Sequence, residues 1–141
     1  MVYLKDSKFQ IRSSVEVARV FQDLLRLEDD IERDKEHYYV MHLDIRSQVR
    51  LVEVVSVGIL TSSLVQPRET FRRAIVEGAA SIIIAHNHPS GEADPSDEDT
   101  KVTKNMFEAG QILGIKMLDH IIFTDKNTKF FSFRENREQE S

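Results

Sequence analysis

The nineteen residues from Ser81 to Asp99, SIIIAHNHPSGEADPSDED, decide how the chain is read. Ile82, Ile83 and Ile84 make an apolar run of strand length that passes directly into His86 and His88. Pro89 and Gly91 then turn the chain, and Ser96-x-x-Asp99 opens a helix whose apolar positions Val102, Met106, Ala109 and Leu113 recur at helical spacing. Strand, turn and helix in that order bring the end of the strand and the start of the helix together. Two histidines at i and i+2 of an extended segment point the same way, so both reach one ion, and the returning helix delivers Asp99 beside them. Three protein donors with a fourth position open are the arrangement of a hydrolytic zinc site, where the pKa of water falls toward about 7.

The rest of the chain builds a layered fold around that unit. Ser13-x-x-Glu16 is a capping box, and Val17, Val20, Phe21, Leu24 and Leu25 follow at helical spacing, which predicts a first helix over about 14–30. EHYYVMHLDI and RLVEVVSVGIL read as two strands joined at Arg46-Ser47-Gln48 in a hairpin. Pro67 opens a helix that ends near Gly78. The helix over about 97–113 is closed by Gly114, and Leu118–Thr124 and Lys129–Phe133 read as two final strands around Asp125-Lys126-Asn127. Helices interleaved with strands, some joined by hairpins and some by crossovers, predict an α/β fold with a mixed β-sheet flanked by helices.

The chain, residues 1–141, reads as one domain with a motif core over about 36–133 and a frayed tail over 134–141. Apolar residues make up 40% and charged residues 30%, a globular balance that excludes disorder over most of the length. There is no cysteine, so disulfides and thiolate sites are excluded and any metal is held by nitrogen and oxygen. MVYLKDSKFQ carries charges where a signal peptide has its apolar region, and no run approaches the roughly 18 apolar residues of a membrane helix. A cytoplasmic protein is expected. Nineteen basic against 24 acidic residues give a net charge of −5, which does not favour a polyanionic partner, and Arg68 and Arg72 read as a solvated helix face.

Hydrolysis also needs a carboxylate to move protons. Glu53 is the candidate, because it interrupts Leu51, Val52, Val54, Val55 and Val57, a strand apolar on both faces. There an ionised carboxylate requires a partner, either a cation or water at the metal. Glu69, Glu77, Glu92 and Glu98 read as surface residues. Ser96 caps the helix and is also placed to donate to an oxyanion. His120 reads as a structural or second-layer histidine, and Asn87 as an amide that orients the turn; His37 and His42 are assigned no role.

Glu53 with His86-x-His88-x7-Ser96-x2-Asp99 resembles the JAMM motif of the MPN-domain metalloprotease superfamily. VVSVGIL, PRETFRRAI, IIIAHNHPSG and LGIKMLDHIIF resemble its bacterial RadC branch over about residues 36–133. The resemblance implies an MPN-like fold and zinc on His86, His88 and Asp99. It also implies Glu53 as general acid/base, Ser96 at the oxyanion, and a protein or peptide substrate cut at a peptide or isopeptide bond. Longer RadC proteins carry an N-terminal helix-hairpin-helix region that this sequence lacks. The RadC label also implies an alternative, a non-catalytic DNA-repair or interaction module with structural zinc. Without cysteine ligands or an H-x-E, a zinc nucleobase deaminase is not supported.

Overall fold

The computed structural model describes residues 2–5 and 9–136. In chain order the elements are β1 (Val2–Lys5), α1 (Ser14–Arg26), α2 (Asp30–Arg33), β2 (His37–Leu43), β3 (Val49–Val57) and α3 (Pro67–Glu77). β4 (Ser81–Asn87), α4 (Asp97–Leu113), β5 (Lys116–Phe123) and β6 (Phe130–Ser132) follow. One six-stranded mixed sheet has the order β1-β3-β2-β4-β5-β6, with β4 and β5 parallel and every other pair antiparallel. The α/β fold with a mixed sheet flanked by helices is therefore the fold present.

Side chains alternate across the sheet and so divide the core in two. Tyr39, Met41, Leu43, Ile83, Ala85, Ile121 and Phe123 face α1 and meet Val17, Phe21 and Leu25. On the opposite face Tyr38, Val40, Ile82 and Ile84 pack against α3 and α4 through Phe71, Val102 and Met106. By the same alternation His86 points to the α3/α4 side, at the end of β4.

Where β5 returns beneath α4 the packing leaves no room for a methyl group. A Cβ on Gly110 would stand 2.5 Å from the Ile115 carbonyl oxygen and 3.4 Å from Phe71 Cζ. Alanine normally favours a helix interior over glycine, but Gly110→Ala is expected to destabilise the chain by about 1–3 kcal/mol, read from its urea midpoint.

Several elements differ from the sequence expectation. The first helix stops at Arg26 rather than about residue 30, because Asp29 caps a separate short helix by accepting from the Glu32 N–H. β1 was not expected; it pairs with the middle of β3 through Glu53, Val52 and Leu51. The frayed tail is corrected for its first residues: Asp119 accepts from the Arg134 N–H (3.0 Å) and Ser132 Oγ from the Glu135 N–H (3.2 Å). Residues 137–141 lie outside the described ones. Among the described residues, no helix is long and apolar enough to cross a membrane.

Candidate metal centre

β4 ends at Asn87, and the His88 N–H donates to Phe123 O (2.8 Å), so the backbone is held in line one residue past the strand. The turn returns the chain to Ser96, whose side chain accepts from the Asp99 N–H while Asp99 accepts from the Ser96 N–H, so both halves of the capping box form. Strand end and helix start thereby bring His86, His88 and Asp99 together, with one donor atom from each lying within 4.8 Å of the others.

The distances are those of a single site. His86 Nε2 and His88 Nε2 are 3.2 Å apart, and they lie 3.1 Å and 3.2 Å from the Asp99 oxygens. Donors of one tetrahedral zinc at about 2.0–2.1 Å stand about 3.3 Å from one another, the spacing of the two histidine nitrogens, while the carboxylate meets His86 with Oδ1 and His88 with Oδ2. The hydrogen-bond network also fixes the tautomers. His88 Nδ1 meets Glu92 O at 3.0 Å and therefore carries its proton, leaving Nε2 with a lone pair. Thr103 Oγ1 donates to Asp99 O (2.8 Å) and accepts from His120 Nδ1 (2.6 Å). His120 Nε2 then accepts from His86 Nδ1 at 2.9 Å, which frees His86 Nε2 for an ion. A ligand histidine whose second nitrogen is engaged in this way is the usual support for a bound metal. His120 stands where such a support would, the second-layer position considered from sequence. His120→Ala is expected to weaken metal affinity about 10–100-fold, measured by chelator competition.

Electrostatics separate the members. Asp99 is buried, which alone would raise its pKa, yet its close contacts with His86 and His88, the charge His86 carries when protonated, and the Ser96 N–H hold it far below the carboxylate range. Burial opposes charge on His88, but Asp99, the Glu92 carbonyl and the charge of Glu36 outweigh it and raise the pKa above 6.5. Burial and the neighbouring His86 keep His120 neutral. An ion binds only deprotonated His88. Its raised pKa means that apparent metal affinity should fall as pH drops through and below that pKa, about tenfold per unit; metal titration between pH 8 and about 5 checks this.

Glu53 does not join the group, which corrects the sequence assignment. The register places it opposite Val40 on β2, and Val40 opposite Ile84 on β4. Two strand spacings and one pleat repeat thus separate it from His86, about 12 Å between Cα positions. Its carboxylate is buried as expected, but the partners are His42 Nε2 (2.9 Å) and Arg73 Nε (3.0 Å). A cation on α3 satisfies the requirement that a buried carboxylate imposes.

The carboxylate near the site is Glu36, which the sequence reading passed over. It precedes β2, where Tyr38 stands opposite His86, so the antiparallel register carries Glu36 level with His88 and on the same face. Its Oε2 accepts from the Leu60 N–H at 2.9 Å. Asn87 brackets it: Oδ1 accepts from the His37 N–H (2.6 Å) and Nδ2 donates to Lys35 O (3.0 Å). The amide thus orients more than the turn, since it fastens the end of β4 to both neighbours of Glu36. The other glutamates stay outside the group: Glu92 lies near Lys129, Glu98 accepts from Ser62 N–H and Oγ, and Glu69 and Glu77 line the groove beside Glu53.

A mixed sheet carrying two histidines at a strand end and an aspartate in the following helix turn defines an α/β domain with a cluster of three donors that could hold one metal ion. The chain belongs to the RadC family: the model of the RadC-like JAB domain matches residues 11–139. Its relatives include a UPF0758 protein of Caldanaerobacter subterraneus subsp. tengcongensis, 42% identical over 125 residues, covering 89% of this chain and 52% of that protein. A UPF0758 protein of Desulforudis audaxviator is 50% identical over 101 residues, covering 72% and 43%, and one of Methanosarcina mazei is 42% identical over 123 residues, covering 87% and 52%. The chain spans about half the length of the curated relatives it matches.

Proposed function

We propose that this domain is a zinc-dependent hydrolase that cleaves a peptide or isopeptide bond in a protein or peptide substrate. The observation that carries the reading is the convergence of His86 Nε2, His88 Nε2 and Asp99 at 3.1–3.2 Å, with the second nitrogen of each histidine engaged elsewhere. Bound zinc supplies Lewis acidity, lowering the pKa of water toward about 7 and polarising a carbonyl.

The protein's own groups supply the rest. Glu36, held by the Leu60 N–H and by Asn87 on either side, takes the proton of the attacking water and passes it to the leaving amine. Ser96 is exposed and its oxygen already accepts from the Asp99 N–H, so its hydroxyl proton remains to be donated to the oxyanion. Partial exposure of His88 beside fully buried His86 gives the donor trio one side open to substrate. The cysteine-free chain suits a reducing compartment, and we place the reaction in the cytoplasm.

The test is a panel of fluorogenic peptides and ε-amino-linked isopeptides incubated with zinc-loaded protein. Cleavage that stops on chelation and returns with zinc supports the reading. A protein that holds zinc firmly and cuts no member of the panel is instead a module with structural zinc.

A further inference from the structure

On the far side of His120 from His86, a cavity of about 450 Å³ lies between α4, the first half of β5 and the segment after β6. Phe107, which is 37% exposed, Met117, Leu118 and Phe133 form the apolar part of its wall, and polar and charged side chains form the rest. The inner end is closed by Thr103 and by the His120 ring, stacked on Phe133 at 4.9 Å. Three cations, Lys104, Lys116 and Arg134, come to it from three different elements. Among the described residues none of them has a carboxylate within 4.0 Å, in a chain that is acidic overall.

The one acid in the lining does not neutralise them. Asp119 accepts from Ser132 Oγ (2.6 Å) and from the His120 and Arg134 N–H groups, and part of the Arg134 charge is set against it. Among the described residues, Lys104 and Lys116 therefore keep no carboxylate partner within 4.0 Å beside a cavity of ligand size. We propose that this cavity binds a small amphiphilic carboxylate, its apolar body along Phe107, Met117 and Phe133 and its single negative charge between Lys104 and Lys116. The two oxygens of one carboxylate can each accept from one of the two ammonium groups. The site adjoins the metal centre through Thr103 and His120 but does not depend on hydrolysis.

Calorimetric titration of the full chain with decanoate, decanol, decyltrimethylammonium and decyl phosphate tests the proposal. Decanoate is expected to bind about one per chain, at least about tenfold more tightly than the neutral and cationic analogues and no more weakly than decyl phosphate. The double variant Lys104→Glu with Lys116→Glu should weaken it about tenfold, with far-UV circular dichroism unchanged, whereas Arg72→Glu on α3 should not. Amide shifts should map to Thr103–Phe107 and Lys116–His120. Absence of decanoate binding, equal binding of the cationic analogue, tighter binding of the phosphate, or indifference to the double reversal would each overturn the proposal.

Discussion

Protein in which His86 and His88 are both alanine is expected to hold no zinc where the wild type holds about one per chain. The two imidazoles supply two of three donors, and Asp99 alone is a single carboxylate, a weak site for a divalent ion. A loss of at least about a thousandfold in affinity, roughly 4 kcal/mol, follows, measurable by elemental analysis after dialysis and by chelator competition. The single variants should differ in a second respect. His86→Ala removes the donor that satisfies buried His120 Nε2, so the metal-free protein should also lose about 1–3 kcal/mol of stability. His88 Nδ1 meets only the Glu92 carbonyl near the surface, and His88→Ala should leave the metal-free unfolding midpoint within about 1 kcal/mol of wild type. Zinc retained by the double variant would refute the assignment of the site.

Glu36→Gln is expected to leave zinc content and fold intact and to lower the rate of any metal-dependent cleavage about 10²–10⁴-fold. Glutamine still accepts from the Leu60 N–H, so the geometry survives while the proton carrier is lost. Glu53→Gln should do the opposite. It uncouples a buried contact with Arg73 and His42 and should lower stability by about 1–3 kcal/mol, with the cleavage rate per folded molecule unchanged. Steady-state rates of both variants, corrected for folded fraction, separate the two glutamates. If Glu53→Gln were the inactive variant, the role given to Glu36 would be wrong.

The part of the fold that was legible was the part whose signals are local. The helix 97–113 was read with the bounds it has, because Ser96 and Gly114 mark its ends chemically, and the helix from Pro67 stops at Glu77, just before Gly78, for the same reason. The donor trio was legible because strand alternation and a capping box bring residues together without reference to the rest of the sheet. Glu53 shows where such reading stops. Burial without a partner was correctly judged untenable, but its partner on α3 lies twenty positions away along a crossover that only the tertiary fold defines. Glu36 gave no local signal, sitting in a run of charges just outside a strand, and only the pairing of β2 with β4 brings it level with His88. β1 was missed because a strand of four residues, three of them paired with β3, carries little periodicity of its own.

Asn87 has a bearing on what this domain tolerates in motion. Its neighbours on either side are the two candidate ligands, and its own amide grips the residues on either side of Glu36. The spacing between Glu36 and the two histidines is therefore set by one short covalent stretch and two hydrogen bonds, with no loop of adjustable length between them. Thermal displacement of one group carries the other along, so the distance between them stays constant while the surroundings shift. Variation in the segment that caps Glu36 can then leave Glu36 and the two histidines together as one piece.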